Sequence, residues 1–487
     1  MNIDTEPVKL DNKTQLAQYF TPPEIAKFMV GLFERGNTLD CRLLDPGAGK
    51  GALSQAFLER WECENSGFET IELDAFEIDS LLCSSLAQTL SKYDGCARCS
   101  IKIHNMDFIH AASDWLSGSL FAARLPRYTH IILNPPYKKI RSDSEYRQAM
   151  RRVGIETVNL YTAFVAISLA LLDEHGQLVA IIPRSFCNGP YYRPFRNYLL
   201  EHAAIRHMHL FDSRSKAFKE DGVLQENIII LLERNGSQGS VTISTSTDDT
   251  FADLTFHNYP FDEIVFPDDP ERFIHVPTSP DQNPIGVSPI LQYSLADLGI
   301  MVSTGPIVDF RVKEYLRDMP DVGTAPLLYP SHFNDKGVSW PLEESKKANA
   351  IVVNEETEKW LYPNGYYCVV RRFSSKEEKR RLVAGVVKPQ TFTNAPVLGF
   401  ENHLNILHEG KSGLSELLAY GLALFLNTTV ADDYFRRFNG HTQVNATDLR
   451  LMKYPSRAAL MELGKWARQH EALPQKTIDT MFEALIL

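Results

Sequence analysis

Residues 22–235 show two alternating patterns of apolar positions, which predict alternating helices and strands. Short apolar runs are typical of buried strands, and apolar residues every three or four positions are typical of amphipathic helices. Predicted helices cover residues 24–36, 50–61, 80–93, 159–175 and 193–202. Predicted strands cover residues 42–45, 71–79, 100–107, 129–134, 177–183, 204–211 and 226–233. This alternation indicates an α/β fold with a mostly parallel sheet covered by helices on both faces, whose last strands form an antiparallel edge.

The pattern changes after Asn235, where polar and proline-rich segments replace the periodic ones. Such a change is typical of a domain boundary, and 487 residues are too many for one ordinary domain. We therefore expect a first domain at residues 1–245 and a second at residues 246–487. Short strands and one clear helix at residues 414–427 predict that the second domain is α+β.

The composition is that of a globular protein without a membrane segment. Hydrophobic residues make up 44% of the chain and charged residues 23%. No apolar run approaches the roughly 20 residues that a membrane span requires. The first residues contain neither the basic nor the apolar stretch of a signal peptide. We expect a cytoplasmic protein with no membrane partner.

The cysteines and the net charge argue against further classes of protein. Seven scattered cysteines, an odd number, do not form a disulfide framework. Cys96 and Cys99 form a C-x-x-C pair without a second pair, so we expect no metal site. The net charge of -11 argues against a protein that coats nucleic acid. It leaves room for a DNA enzyme whose basic side chains gather in one cleft.

The sequence Asn134-Pro135-Pro136-Tyr137 follows a predicted buried strand and is suited to methylating an amine. An amine conjugated to a base ring is a poor nucleophile because its lone pair is delocalised. If the Asn134 side-chain oxygen and the Pro135 carbonyl both accept hydrogen bonds from the amine, the lone pair is freed for attack on a methyl sulfonium. Two prolines fix the backbone, and Tyr137 offers a ring on which an extruded base can stack.

A glycine loop, Asp45-Pro-Gly-Ala-Gly-Lys-Gly51, joins the first strand to a helix and lets a ligand approach the backbone. It matches neither a dinucleotide loop nor a phosphate loop, which disfavours NAD and ATP. Asp45 suits a cationic group such as a methionine ammonium. Glu77, at the end of the second strand, is placed to accept both ribose hydroxyls. Asp107 offers an acceptor for an adenine amine beside Phe108; alternatively, such acidic residues only cap helices.

Taken together, these motifs resemble those of DNA adenine-N6 methyltransferases of the gamma order, in which the cofactor motifs come first and a target-recognition domain comes last. Residues 19–24, Tyr-Phe-Thr-Pro-Pro-Glu, are similar to the family's N-terminal motif, which closes over the methionine part of the cofactor. The resemblance covers residues 17–235 strongly. It implies a Rossmann-like class I methyltransferase domain with S-adenosylmethionine as cofactor. The cofactor-binding residues it implies are Tyr19, Thr21, Pro22, Asp45, Gly47, Gly49, Glu77, Ile78, Asp107, Phe108, Asn134 and Pro136.

The resemblance also implies a second aromatic side chain that packs against the flipped base, in the segment at residues 181–199. We expect Tyr192 in this role. Tyr191 and Phe186 are rivals, and all three rings could equally belong to the core.

Double-stranded DNA is the expected substrate, bound by basic clusters that contact phosphates and by polar side chains that contact base edges. The second domain resembles the target-recognition domains of type II enzymes loosely. A cognate restriction endonuclease acting on the same site is left open by the resemblance. The expected DNA-binding residues are Lys138, Lys139, Arg141, Arg371, Arg372, Arg380, Arg381, His441 and Gln443.

Several alternative functions stay open at this point. Asn-Pro-Pro-Tyr serves any planar amide or amine, so protein glutamine and RNA guanine are possible substrates; a large domain after the catalytic one favours DNA. N4-cytosine methylation is a nearer alternative, although it usually comes with Ser at position 134. A non-catalytic DNA-binding subunit of a restriction complex is the alternative from another class, and it would bind DNA without methyl transfer.

Overall fold

The structure is a computed structural model that describes residues 21–34, 39–64, 67–119, 125–211, 226–267, 269–277, 290–334, 337–344, 346–374, 378–438, 443–470 and 474–486. The chain forms two compact units, Met1–Pro280 and Asp281–Leu487. The predicted boundary after residue 245 is therefore too early. Residues 241–246 and 255–259 are two further strands of the first unit's sheet. Their sequences, VTISTS and TFHNY, lack the apolar runs that identified the earlier strands.

In the described part of the first unit, nine strands form one sheet in the order β3-β2-β1-β4-β5-β7-β6-β8-β9. The strands are β1 (Asp40–Asp45), β2 (Thr70–Phe76), β3 (Cys99–His104), β4 (Tyr128–Leu133), β5 (Leu172–Pro183), β6 (Ala203–Phe211), β7 (Asn227–Arg234), β8 (Val241–Ser246) and β9 (Thr255–Tyr259). Strands β1 to β5 pair in parallel, whereas β7 is antiparallel to both β5 and β6. The α/β class with a mostly parallel sheet is confirmed. The sheet ends in an antiparallel edge, but this edge is β9, which pairs with β8; the predicted last strands, β6 and β7, lie inside the sheet.

Two apolar clusters cover the two faces of this sheet. Neighbouring residues of a strand point to opposite faces; in β4, Ile131 and Leu133 belong to one cluster and Ile132 to the other. The helices in the described part of this unit are α1 (Pro23–Gly31), α2 (Ala52–Glu64), α3 (Ser80–Leu90), α4 (Phe108–Leu116), α5 (Glu145–Arg152), α6 (Leu160–Leu171), α7 (Arg193–His202) and α8 (Phe261–Ile264). The first cluster includes side chains of α4, α6 and α7, and the second includes side chains of α1, α2 and α3. Strand β4 is therefore buried on both faces, which holds its carboxyl end in place.

The second unit contains small sheets and five helices among its described residues. One sheet has the order β10-β20-β17-β18, a second has the order β11-β15-β12-β19-β16, and β13 pairs with β14. The strands are β10 (Met301–Thr304), β11 (Leu316–Arg317), β12 (Thr324–Leu328), β13 (Phe333–Asn334), β14 (Gly337–Val338), β15 (Ala350–Val352), β16 (Tyr362–Pro363), β17 (Tyr367–Arg371), β18 (Ala384–Val387), β19 (Val397–Phe400) and β20 (Leu404–His408). The helices are α9 (Glu416–Leu426), α10 (Thr429–Phe438), α11 (Ala446–Leu451), α12 (Arg457–Ala467) and α13 (Gln475–Ile486).

Helices α9 and α12 approach each other closely at two glycines. A Cβ atom at Gly421 would meet the main-chain carbonyl of Leu460 on α12, and one at Gly464 would meet the carbonyl of Leu417 on α9. Each helix therefore fills the space that a side chain on the other would need.

No helix in the described ranges is both long enough and apolar enough to cross a membrane.

Candidate active site

Three neighbouring parallel strands of the first unit end beside one another, and a predicted site residue lies at the end of each. Asp45 is the last residue of β1, Glu77 directly follows β2, and Asn134 directly follows β4. The order β2-β1-β4 makes these strands neighbours. In open α/β sheets ligands bind at the carboxyl ends of the strands. The three residues thus lie at the edge where a ligand site is expected.

The side-chain amide of Asn134 is fixed at both of its ends. Its Nδ2 donates a hydrogen bond to Oγ1 of Thr21 over 3.1 Å. Its Oδ1 accepts one from the hydroxyl of Tyr137 over 3.1 Å, and the same hydroxyl lies 3.3 Å from the carbonyl oxygen of Ile181 on β5. The predicted N-terminal motif and the Asn-Pro-Pro-Tyr turn therefore touch, although 113 positions separate Thr21 from Asn134. The hydrogen bonds orient the amide so that its oxygen lies on the side of Tyr137.

Glu77 is buried beneath the glycine loop and held by main-chain donors. Its Oε2 accepts from the N–H of Gly49 over 2.9 Å, and its Oε1 accepts from the N–H of Asp79 over 2.8 Å. Gly49 has a φ of 55° and Gly51 a φ of 90°, both in the left-handed region that favours glycine. The loop conformation therefore depends on these glycines, and it orients the carboxylate. The neighbouring Ile78 exposes its apolar side chain.

Asp45 is a fully buried carboxyl group with one unpaired oxygen. Its Oδ2 accepts from the hydroxyl of Ser54 over 2.7 Å. Its Oδ1 has no hydrogen-bond partner among the described residues. Burial raises the pKa of Asp45 to about 7, against the lowering effect of Ser54. A buried acceptor of this kind fits a cationic ligand group, which would satisfy the oxygen and favour its ionised form.

Asp107 caps a helix and also contacts the segment after the catalytic turn. Its Oδ1 accepts from the N–H of His110 in α4, as the capping alternative predicts. Its Oδ2 accepts from the hydroxyl of Tyr146 in α5 over 2.7 Å. Phe108 is buried, with its ring against those of Phe76 and Phe164. The adenine-binding role of Asp107 and Phe108 stays a prediction.

The structure separates the three candidates for the second aromatic side chain. Phe186 is 0% exposed and packs in the core, whereas Tyr191 is 76% exposed. Tyr192 is half-buried, and its ring centroid lies 5.9 Å from that of Tyr161. The ring of Tyr161 in turn lies 6.2 Å from that of Tyr137. Tyr192 is thus the candidate linked to the Asn-Pro-Pro-Tyr turn through a shared aromatic neighbour.

Sequence reasoning missed Tyr161, Asn159 and Tyr146, all of which lie between the catalytic turn and β5. Tyr161 is buried beneath Tyr137 and Tyr192. Asn159 is the residue before α6, and its Nδ2 lies 3.5 Å from the Tyr192 hydroxyl. Asn159 and Tyr161 could have been found from the sequence, because they lie at the start of the predicted helix that follows the catalytic turn.

The first basic cluster is exposed. Lys138, Lys139 and Arg141 follow the turn directly and reach the surface. Arg141 pairs with the neighbouring Asp143 over 3.2 Å, and the Arg141 side chain is 84% exposed. This geometry leaves the cluster accessible to a polyanion.

The second basic cluster needs correction because two of its arginines are structural. Arg381 is 1% exposed. Its Nε donates to Ser374, and its guanidinium lies over the ring of Phe435. Arg380 donates to the main-chain carbonyl of Thr428 over 2.9 Å. The prediction that Arg381 contacts phosphate is wrong, and Arg380 is largely used by the fold.

The other predicted DNA-binding residues of the second unit make different contacts. Arg371 forms an ion pair with Glu378. Arg372 donates to Oε1 of Gln443 over 3.2 Å, which joins two predicted DNA-binding residues. Two predicted site residues, Tyr19 and His441, lie outside the described residues.

Residues 86–218 match the family model of the Eco57I restriction-modification methylase. The chain is 53% identical over 481 residues to the type II methyltransferase M.BsuBI of Bacillus subtilis, which covers 98% of this chain and 95% of the relative. It is 40% identical over 461 residues to the type II methyltransferase M.PstI of Providencia stuartii, covering 93% and 89%. A solved structure of the type IIL restriction-modification enzyme MmeI with DNA has a TM-score of 0.55 and 10% identity, covering 98% of this chain and 71% of that chain. These matches confirm the predicted Rossmann-like methyltransferase fold of the first unit.

Proposed function

Because the chain belongs to the type II methyltransferases of restriction-modification systems, we propose that it methylates N6 of a flipped adenine at a specific site in double-stranded DNA. Membership of this family makes it a methyltransferase that uses S-adenosylmethionine. The observation that carries the finer proposal is the orientation of the Asn134 amide by Thr21 and Tyr137.

The Asn-Pro-Pro-Tyr turn supplies acceptors for the two hydrogens of a base amine. The Thr21 hydroxyl accepts a hydrogen bond from the Asn134 NH2 group, so the amide oxygen is the end that faces Tyr137. An amide oxygen has two lone pairs, and Oδ1 can accept from the target amine while it keeps the Tyr137 hydroxyl. The Pro135 carbonyl is the second acceptor, followed by a proline that has no N–H. These two acceptors localise the lone pair on the amine nitrogen, which prepares it for attack.

The residues at the ends of β1, β2 and β3 fit the three parts of the cofactor. The unpaired, buried Oδ1 of Asp45 suits the methionine ammonium. Glu77, oriented by the glycine loop, suits the ribose hydroxyls. Asp107 and the exposed Ile78 suit the adenine amine and ring. When bound, S-adenosylmethionine supplies an electrophilic methyl group on a positively charged sulfur.

Two half-buried tyrosines provide the surfaces on which the flipped base stacks. Tyr137 and Tyr192 each contact the buried Tyr161, which fixes the spacing between them. A base inserted at the turn would meet ring faces, and such stacking is worth about 1–3 kcal/mol per base. This favourable contact offsets part of the cost of extruding the base.

DNA binding is divided between the two units in this proposal. Lys138, Lys139 and Arg141 contact phosphates next to the flipped base. Asp281–Leu487 acts as the target-recognition domain, and its Arg372 and Gln443 side chains, already hydrogen-bonded to each other, contact DNA. A cognate restriction endonuclease cleaving the same unmethylated site is the proposed functional partner.

The test is to express the chain in a host without its own DNA methylation and to sequence the genomic DNA by a long-read method that detects modified bases. Mass spectrometry of the hydrolysed nucleosides identifies the product. We expect N6-methyladenine at one sequence motif in cells with the wild-type chain and none in cells with Asn134→Ala. N4-methylcytosine as the product, or DNA binding without methylation, would contradict the proposal.

A further inference from the structure

Asn159 is held against the catalytic turn by main-chain hydrogen bonds. The N–H of Leu160 donates to the carbonyl of Lys138 over 2.8 Å, and the N–H of Ile140 donates to the carbonyl of Val158 over 2.9 Å. Residues 138–140 and 158–160 thus pair like two short strands, with Asn159 opposite Lys139. The position of Asn159 is therefore coupled to that of the Asn-Pro-Pro-Tyr turn, which lies directly before Lys138.

The side chain of Asn159 does not perform the function usual for its position. Asn159 is the N-cap residue of α6, where an asparagine commonly accepts a hydrogen bond from the first turn of the helix. Here its side chain forms no capping hydrogen bond. The amide is turned toward the aromatic side chains instead, with Nδ2 3.5 Å from the Tyr192 hydroxyl. Substitution of Asn159 would therefore remove no helix cap.

The other end of the same amide is buried without a partner. Asn159 is 7% exposed, and its Oδ1 has no hydrogen bond to any described residue. An unpaired buried polar atom costs free energy, and its persistence calls for an explanation such as a ligand. The Tyr192 hydroxyl both donates and accepts, so it can pair with either end of the amide. Whichever end meets Tyr192, the opposite end remains for a third group.

We propose that Asn159 is a specificity-determining residue that donates a hydrogen bond from its NH2 group to a ring nitrogen of the flipped adenine. This inference rests on the proposed adenine-N6 activity. With the NH2 group on the base, Oδ1 accepts from the Tyr192 hydroxyl, and no atom of the amide stays unpaired. Adenine carries two ring acceptors beside its amine, N1 and N7. A donor at either nitrogen fixes the rotation of the base about the amine that Asn134 and Pro135 hold.

The test combines protein variants with base analogues at the methylated position. Synthetic duplexes carry adenine, 1-deazaadenine or 7-deazaadenine there; each analogue keeps the amine and replaces one ring nitrogen by C–H. Single-turnover rates and kcat/KM are measured for the wild type and for Asn159→Ala. We expect Asn159→Ala to lower kcat/KM on adenine about tenfold, the size of one lost hydrogen bond. One of the two analogues should lower the wild-type kcat/KM by a similar factor and cause no further loss in Asn159→Ala.

Two controls separate base contact from an effect on Tyr192 or on folding. Tyr192→Phe keeps the ring and removes the hydroxyl, and it should remain sensitive to the same analogue. Calorimetric binding of S-adenosylhomocysteine should be the same for Asn159→Ala and the wild type. If Asn159→Ala lost kcat/KM equally on all three duplexes, Asn159 would be a positioning residue for Tyr192 and the inference would be overturned.

The wild-type measurements alone can also overturn the inference. A wild type that methylates adenine and both analogues at equal rates uses neither N1 nor N7, which would overturn the inference whatever the behaviour of the variant. A wild type that forms no N6-methyladenine at all would instead overturn the proposed function, and this inference with it.

Discussion

Asp45→Asn is expected to weaken binding of S-adenosylmethionine and, at the same time, to stabilise the ligand-free protein at neutral and alkaline pH. The carboxyl group is fully buried and its Oδ1 has no hydrogen-bond partner among the described residues. The substitution keeps the shape of the side chain and an oxygen that can accept from Ser54. It removes the negative charge and places an NH2 group where the unpaired oxygen lies.

The magnitudes follow from the pKa of Asp45, which burial raises from 3.8 to about 7. A shift of roughly three units corresponds to about 4 kcal/mol. The folded-state pKa lies above the unfolded one, so the free energy of unfolding falls as the pH rises from about 4 to about 7 and stays lowered above that. At pH 8 the free energy of unfolding of Asp45→Asn should therefore exceed that of the wild type by up to about 4 kcal/mol. Loss of the charged contact to the ammonium, about 1.5–3 kcal/mol, corresponds to a Kd about 10- to 150-fold weaker.

The pH dependence of ligand binding gives an independent check. If only the ionised carboxylate binds the ammonium, a group with a pKa near 7 weakens the apparent Kd about tenfold between pH 8 and pH 6. Isothermal titration calorimetry across this range measures the effect, and Asp45→Asn is the control because any remaining slope belongs to the ligand or to other groups. Urea unfolding at pH 8 measures the stability. An equal slope in both proteins, or an Asn variant that binds as well as the wild type, would refute the placement of the ammonium at Asp45.

Further predictions concern other parts of the molecule. Thr21→Val should lower single-turnover methylation about tenfold because the Asn134 amide loses its anchor, whereas Thr21→Ser should retain the rate. Gly421→Ala should destabilise the protein by about 1–3 kcal/mol or more in thermal unfolding, since its Cβ would meet main-chain atoms; the control Gly31→Ala, with nothing within 4 Å, should not. Burial lowers the pKa of His209 to about 3. Only the unfolded state then takes up this proton below pH 6.5, so His209 by itself lowers the free energy of unfolding by about 2 kcal/mol between pH 7 and pH 5, and the difference in stability between His209→Gln and the wild type should change by that amount over this range.

The site at the strand ends was predictable because chain order and strand order determine it together. Asp45, Glu77 and Asn134 each follow an apolar run, and parallel strands place such residues at one edge. The hydrogen bond between Thr21 and Asn134 was not predictable in the same way. Resemblance assigned both residues to the cofactor site, but their contact depends on how the first helix packs on the sheet.

Predictions from charge alone were less successful, because sequence does not reveal which charged groups the fold itself uses. Arg380 and Arg381 belong to a basic run, yet the guanidinium of Arg381 lies over an aromatic ring and Arg380 donates to main-chain carbonyls. The domain boundary was misplaced for a related reason. Residues 241–246 are mostly buried, but their hydroxyl side chains made the strand resemble a polar linker.

The paired glycines of α9 and α12 limit where hybrid proteins can be joined. Because each helix occupies the space that a Cβ on the other would fill, a hybrid that takes one helix from a relative must match the other helix at backbone level. Exchanging Gly421 and Gly464 together, within a single segment that spans residues 416–467, preserves this match. Junctions placed between the two helices carry the risk that a larger residue meets a main-chain carbonyl. Hybrids built to alter site choice should therefore be joined outside this segment.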